Sequence, residues 1–234
     1  MVKDPSKVRE YLINDRKLNP DLINTLISKG LIRQDERNNA VYPWVNNGEI
    51  VGHNSEGSYK KQDGGRYKHI ASGANNDYGF SFKTSPNKDI RNLYFFESEV
   101  DAISYASLNG LTPNSKYISM RGVNNPDIIY QQILEVGQNT GKIPNVVYGV
   151  DNDEAGLRFN QDRIENNLSH HEQGEMPIYF AVPPQRENVK DWNDELVRRN
   201  GHPYEQHERN IPLSKKQYLQ NYRHQESSKG MELE

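Results

Sequence analysis

Not one cysteine occurs in the 234 residues, which excludes disulfides, thiol nucleophiles and cysteine-ligated zinc and fits a cytoplasmic address. Apolar residues are scarce too. They make up 33% of the chain, the mean hydropathy is -0.98, and no apolar run is long enough to span a bilayer. Met1 to Lys7 holds no apolar h-region, so neither a secretory signal nor a membrane partner is expected. An excess of either charge is also missing: 29 Lys and Arg against 32 Asp and Glu leave a net -3. Any affinity for polyanions must therefore come from a local patch.

Two short stretches stand out against this background. Tyr94-Phe95-Phe96-Glu97-Ser98-Glu99-Val100-Asp101 and Val147-Tyr148-Gly149-Val150-Asp151-Asn152-Asp153-Glu154-Ala155-Gly156 each drive an apolar run straight into carboxylates. If both runs are strands of one sheet, Glu97, Asp151 and Asp153 converge at its carboxyl edge, where open α/β sheets place their sites. Two carboxylates about 4 Å apart repel by about 4 kcal/mol at an effective dielectric near 20. Either protons are retained or a hard divalent cation sits between them, and oxygen-only ligands favour Mg²⁺ or Mn²⁺. Asp101 follows Glu97 by one helical turn. The plainer alternative is that Asp151 ends a strand and Asp153 caps a helix. A calcium loop is excluded, because Ala155 and Asp162 stand at its fifth and twelfth positions and a strand precedes it.

Between Tyr59 and Arg91, seven basic residues (Lys60, Lys61, Arg66, Lys68, Lys83, Lys88, Arg91) face three acids and are interleaved with Tyr59, Tyr67, Tyr78, Phe80 and Phe82. Basic groups among aromatic platforms suit single-stranded nucleic acid, and a solvated β-rich face accounts for them equally well. Arg121-Gly122 follows a strand directly. Its glycine permits close backbone approach to a phosphate and its arginine can pair with one, with an ordinary turn as the alternative. Gly137-Gln138-Asn139-Thr140-Gly141-Lys142 lacks the spacing of a phosphate loop and reads as a plain loop.

The order of signals divides the chain. Asp4-Pro5 and Asn19-Pro20 open two helices, the second ending at Gly30. Asn46-Asn47-Gly48 joins two alternating runs as a hairpin. This gives an α+β unit over 1–88. From 89 to 200, strands near 93–96, 117–120, 146–150 and 178–182 alternate with helices at 99–108, 126–134, after Asp153 (inner face Leu157, Ile164 and Leu168) and 191–198, the rhythm of a parallel sheet. Residues 201–234 form a polar tail, partly helical or loose, with one helix around 215–222.

Phe96-Glu97-Ser98-Glu99-Val100-Asp101 and Gly149-Val150-Asp151-Asn152-Asp153-Glu154-Ala155-Gly156 resemble the two signature motifs of the Toprim domain, found in bacterial primases, topoisomerases and some nucleases. The resemblance implies an α/β class, with a Toprim-type parallel sheet flanked by helices and preceded by a small α+β unit like that of a primase core. It implies Glu97, Asp151 and Asp153 as catalytic residues serving Mg²⁺ or Mn²⁺, with Asp101 where primases also keep an acid. Val41-Tyr42-Pro43-Trp44, Gly48-Glu49-Ile50-Val51-Gly52 and Lys68-His69-Ile70-Ala71-Ser72 are similar to the strand-rich half of the bacterial primase core. That likeness implies Lys68 and Arg66 as template contacts, with Lys60 and Lys61 in the same basic stretch. Lys190-Asp191-Trp192-Asn193-Asp194 looks like the primase Lys-Asp motif and puts Lys190 and Asp191 near phosphate.

The arrangement is most similar to primase-like Toprim proteins of plasmids and conjugative elements. The expectation is a Mg²⁺-dependent nucleotidyltransferase acting on single-stranded DNA and ribonucleotides, with a replication or mobilisation protein as partner. A Toprim nuclease and a non-catalytic single-strand-binding module are the alternatives. One departure stands where primases present glycines and an arginine: here the chain reads His53-Asn54-Ser55-Glu56-Gly57.

Overall fold

The computed structural model describes residues 1–62, 64–170, 174–202 and 209–221. The tail expectations for 203–208 and 222–234 lie outside these described residues. At the amino end, α1 (Ser6–Glu10) runs into a wide π-helical turn (Tyr11–Asp15), and α2 (Pro20–Ser28) starts where the Asn19 side chain accepts from the Leu22 N–H. Four antiparallel strands follow in spatial order β1 (Arg33–Gln34), β2 (Ala40–Asn46), β3 (Glu49–Lys60) and β4 (Arg66–Ile70). The hairpin between β2 and β3 turns at Asn47 and Gly48, whose φ angles of 48° and 88° are those of a tight primed turn.

The second sheet has six strands in the order β12-β11-β8-β6-β7-β5. In chain order they are β5 (Ser81–Lys83), β6 (Asn92–Phe96), β7 (Ser115–Ser119), β8 (Asn145–Gly149), β11 (Ile178–Phe180) and β12 (Leu213–Ser214). A separate two-residue ribbon, β9 (Ser169–His170) with β10 (Gly174–Glu175), precedes β11. The four central strands are parallel, and the short edges β5 and β12 run antiparallel. The helices are α3 (Glu99–Asn109), α4 (Pro126–Thr140), α5 (Glu154–Glu165) and α6 (Trp192–Gly201).

Alternation along β6 separates two cores. Tyr94 and Phe96 face α3 and α6, whereas Leu93 and Phe95 face α4 and α5. The first of these cores continues without a break into Val8, Leu12, Ile23, Tyr42 and Trp44 of the amino-terminal half. Because β5 precedes residue 88 yet pairs with β7, the two halves are joined by a strand as well as by a shared interior.

Several sequence expectations are corrected. The inner face of α5 is Phe159, Asn160 and Ile164, while Leu168 lies beyond the helix and is exposed. Leu157, in the first turn of the helix, is half-buried. Gly137 to Thr140 is helix, not loop, since α4 continues to Gly141, whose left-handed φ of 65° stops it. Among the described residues of the tail, 215–221 are helical as expected, and the segment is packed rather than loose: β12 pairs with β11 and Tyr218 stacks on Phe180 at 4.4 Å. No helix among the described residues is long and apolar enough to cross a membrane.

Candidate active site

Three helices begin at the carboxyl edge of the large sheet, and each is capped by a short polar side chain. Ser98 accepts from the Asp101 N–H, Asp153 from the Gly156 N–H and Asp191 from the Asp194 N–H. Glu97 leaves β6 one residue before the first cap, and Asp151 leaves β8 two residues before the second. They meet: Glu97 Oε1 accepts the Asp151 backbone N–H at 3.0 Å. Gly156 makes the meeting possible, because a Cβ there would stand 2.1 Å from the Asp151 carbonyl oxygen. Lys190 closes the arrangement, with Nζ 3.1 Å from Asp151 Oδ2 and 3.0 Å from Asp153 Oδ2.

The electrostatics show a centre short of positive charge. Burial, followed by the nearby Glu97, pushes Asp151 up to about 7. Glu97 is raised by burial, and so is Asp101, on which Asp191 and Asp151 also press. Burial raises Asp191 as well. Asp153 moves the other way, held down first by the Gly156 N–H. Lys190 is raised, chiefly by its bond to Asp153. The ion pair thus favours charge on the lysine, while for Asp151 burial and Glu97 outweigh it.

These residues suit a hard cation in donor chemistry. Every candidate ligand is a carboxylate oxygen, and Asp101 Oδ1 is buried with no partner among the described residues, its Oδ2 accepting from Ser98 Oγ at 2.5 Å. Yet no group of three or more His, Asp or Glu side chains among the described residues is closed onto one point. The Lys190 ammonium stands between Asp151 and Asp153, so a divalent ion has to displace it.

Beside the carboxylates opens a cleft of 470 Å³ between the two halves. Lys68, Arg121, Gly122, Lys190 and Asp191 line it together with Glu97, Asp101 and Asp151. Arg121 is held flat, its guanidinium 4.4 Å over the Trp44 ring and Nη2 donating to the Asn76 carbonyl at 2.9 Å. The ring reaches that position because Gly52 lacks a Cβ, which would meet it at 2.4 Å. Gly122, at φ 95°, donates its N–H to the Glu97 carbonyl at 2.8 Å and locks β7 to β6 at the site.

Arg66 does not join them. Its guanidinium lies 4.4 Å over Tyr11, reaches Asp15 at 3.6 Å and donates to the Ser58 carbonyl at 2.6 Å, contacts within the amino-terminal half and outside the cleft wall. Lys60 and Lys61 sit exposed at the turn between β3 and β4, outside the cleft wall. Sequence reasoning missed Arg16, Glu56 and Glu99, all in that wall. Arg16 pairs with Glu56, donates to Asn193 Oδ1 at 3.1 Å and so ties the amino-terminal half to α6. Glu99 accepts from Ser119 Oγ at 2.9 Å. Glu99 stood in the first motif without being assigned a role, and Glu56 stood in the segment that departs from primases, but neither showed its partner. A second cavity, 380 Å³, near the amino end of β7, has a single carboxylate, Glu135, already paired with Lys116 at 3.0 Å, so it offers no comparable chemistry.

Residues 94–196 match the family model described as Toprim-like. That stretch of the chain is similar to a Toprim-like domain. Residues 10–88 match a second family, described as a protein of unknown function, DUF3991. Over 200 residues the chain is 33% identical to a Bacillus anthracis protein named "Uncharacterized protein pXO2-78", covering 82% of this chain and 57% of that one. The chain thus spans little more than half of that relative.

Among solved structures, the DnaG catalytic core superposes with a TM-score of 0.51 at 15% identity, covering 92% of this chain and 76% of that one. The primase fragment of the bacteriophage T7 primase-helicase protein gives 0.50 at 16%, covering 80% and 69%. The DnaG primase catalytic domain bound to single-stranded DNA gives 0.50 at 15%, covering 91% and 68%. The fold is therefore that of a primase core, the Toprim-like domain included, as the sequence motifs implied.

Proposed function

We propose that this protein is a Mg²⁺- or Mn²⁺-dependent enzyme that joins ribonucleotides on single-stranded DNA, a primase-like nucleotidyltransferase core of a plasmid or mobile element. The observation that carries the reading is the meeting of Glu97 and Asp151 at the sheet edge with Asp153 and Lys190 around the same point. Glu97, Asp151 and Asp153 would hold the cation, with Asp101 below them. When bound, that cation neutralises charge on the transferring phosphate and promotes ionisation of the attacking hydroxyl. Lys190, displaced from the carboxylates, is within reach of a phosphate oxygen. Arg121, fixed on Trp44, offers a preorganised planar donor, and Lys68 opposite it guides the strand. A replication or mobilisation protein would deliver the template.

A Toprim-type metal-dependent nuclease is the second reading, since the same carboxylates and cation would serve hydrolysis with water in place of the attacking hydroxyl. Labelled single-stranded DNA incubated with the protein, Mg²⁺ and ribonucleotides separates the two. Lengthened products support transfer, shortened ones support a nuclease. Strong binding that EDTA leaves unchanged, without turnover, assigns a binding module instead.

A further inference from the structure

An outer strand of the four-stranded sheet, β4, lends Lys68, His69 and Ile70 to the wall of the polar cleft. Every residue from Tyr67 to Ile70 is exposed. Alternation along the strand puts Tyr67 and His69 on one face, where their rings are stacked with centroids 6.1 Å apart and planes 19° from parallel. Opposite them on β3 stand Gly57 and Ser55. Tyr67 lies so close to Gly57 that a Cβ there would come within 3.1 Å of the Tyr67 Cβ, and Ser55 is in register with His69. Neither is large enough to cover a ring, and on its other side β4 pairs with no strand among the described residues. Tyr67 is left 40% exposed.

Of the rings interleaved with the basic stretch, Tyr78, Phe80 and Phe82 belong to the core. Tyr67 does not, and through His69 it adjoins the cleft wall. Positive charge accompanies the pair. Lys68 lies between the two residues, Lys60 is in register with Arg66 just before Tyr67, and Lys61 follows Lys60 at the turn. The carboxylates of Asp15 and Glu56 beside the strand are already paired, with Arg66 and Arg16. Open rings flanked by cations suit single-stranded nucleic acid, because every base presents a π-face and the backbone follows the charge.

We propose that Tyr67 and His69 form a stacking platform for one base of single-stranded DNA where the strand leaves the cleft over β4. The base held here flanks the one being copied, which stays in the cleft. The inference rests on the reading that the cleft takes single-stranded DNA, and deepens it. Fluorescence anisotropy of a labelled single-stranded oligonucleotide with the full chain, in Mg²⁺ without ribonucleotides and over a series of salt concentrations, tests it. Tyr67→Ala is expected to weaken binding about tenfold while leaving the dependence on log salt unchanged, since a stack and no phosphate contact is lost. Tyr67→Phe, which keeps the ring, is expected to bind within twofold of the unmodified chain.

Binding by folded Tyr67→Ala within twofold of the unmodified chain overturns the platform and leaves the transfer reading standing. A salt dependence flattened by about 0.7 in that variant overturns it as well, because the loss is then one of charge. Failure of the unmodified chain to bind single-stranded DNA at any salt concentration overturns both. Should Tyr67→Ala not fold, Tyr67→Trp decides: its added emission is expected to be quenched when the oligonucleotide binds, and unchanged emission in the bound complex overturns the platform.

Discussion

Lys190 Nζ lies 3.1 Å from Asp151 Oδ2, so a lysine that the sequence puts near phosphate sits on a carboxylate that it expects to hold a metal. The lysine does at this point what a divalent ion would do with twice the charge. Neutralising the cluster by one unit leaves Asp151 raised to about 7, so the centre retains a demand for cation that Lys190 does not satisfy.

Removing the competitor should therefore strengthen metal binding. Lys190→Met is expected to bind Mn²⁺ about tenfold or more tightly than the unmodified chain, as read by calorimetry or Mn²⁺ electron paramagnetic resonance. Transfer activity should nevertheless fall, because the phosphate contact is lost. Weaker Mn²⁺ binding in this variant would show that the lysine supports the metal instead of substituting for it.

Asp151→Asn isolates the cost of the buried charge. A carboxyl whose folded pKa is raised binds more protons folded than unfolded between the two values. For Asp151 those values are 3.8 and about 7, so in EDTA its contribution to stability declines from about pH 4 to pH 7 and is constant above. The asparagine variant should match the unmodified chain near pH 4 and exceed it by a few kcal/mol at pH 8, about 4 kcal/mol being the upper limit set by roughly three pKa units at about 1.4 kcal/mol each. Mn²⁺-dependent chemistry should be abolished. Denaturant titrations at the two pH values check the stability, and a gap that does not grow with pH would contradict the assigned shift.

Metal affinity should climb with pH for the same reason. Cation binding requires the ionised form of Asp151, so between pH 6 and pH 8 the affinity for Mg²⁺ is expected to rise about tenfold with release of up to one proton. Calorimetry in two buffers of different ionisation enthalpy counts that proton, and zero release at pH 6.5 would remove Asp151 from the ligand set.

Two basic residues two positions apart in β4 should behave differently. Lys68→Ala is expected to weaken single-stranded DNA binding and to flatten the dependence on log salt by about 0.7, the loss of one phosphate contact. Arg66→Ala should leave that slope unchanged and lower stability by about 1–3 kcal/mol, since its side chain is buried against Tyr11 and bonded to a backbone carbonyl. Equal slopes for both variants would contradict the division.

The parts of the fold legible in the sequence were those written in local chemistry. Asp153 as a cap, the Asn47-Gly48 turn and the apolar runs ending in Glu97 and Asp151 each act over a few residues. Edges of two or three residues such as β12 and β5 carry too little periodicity to be read, and they exist because a neighbour offers an unpaired edge. Arg66 illustrates the limit at the site: a basic residue in a basic stretch reads as solvent-facing until Tyr11, distant in the sequence, supplies a ring beneath it. Arg16 and Glu56 were hidden in the same way, an ion pair formed across 40 residues.

A crystal soaked in Mn²⁺ and measured at the manganese edge addresses the three-carboxylate centre most directly. One anomalous peak within bonding distance of Glu97, Asp151 and Asp153, with Lys190 Nζ moved away from both aspartates, is the predicted result. No peak at that corner, with Lys190 still bridging Asp151 and Asp153 at saturating Mn²⁺, would contradict it.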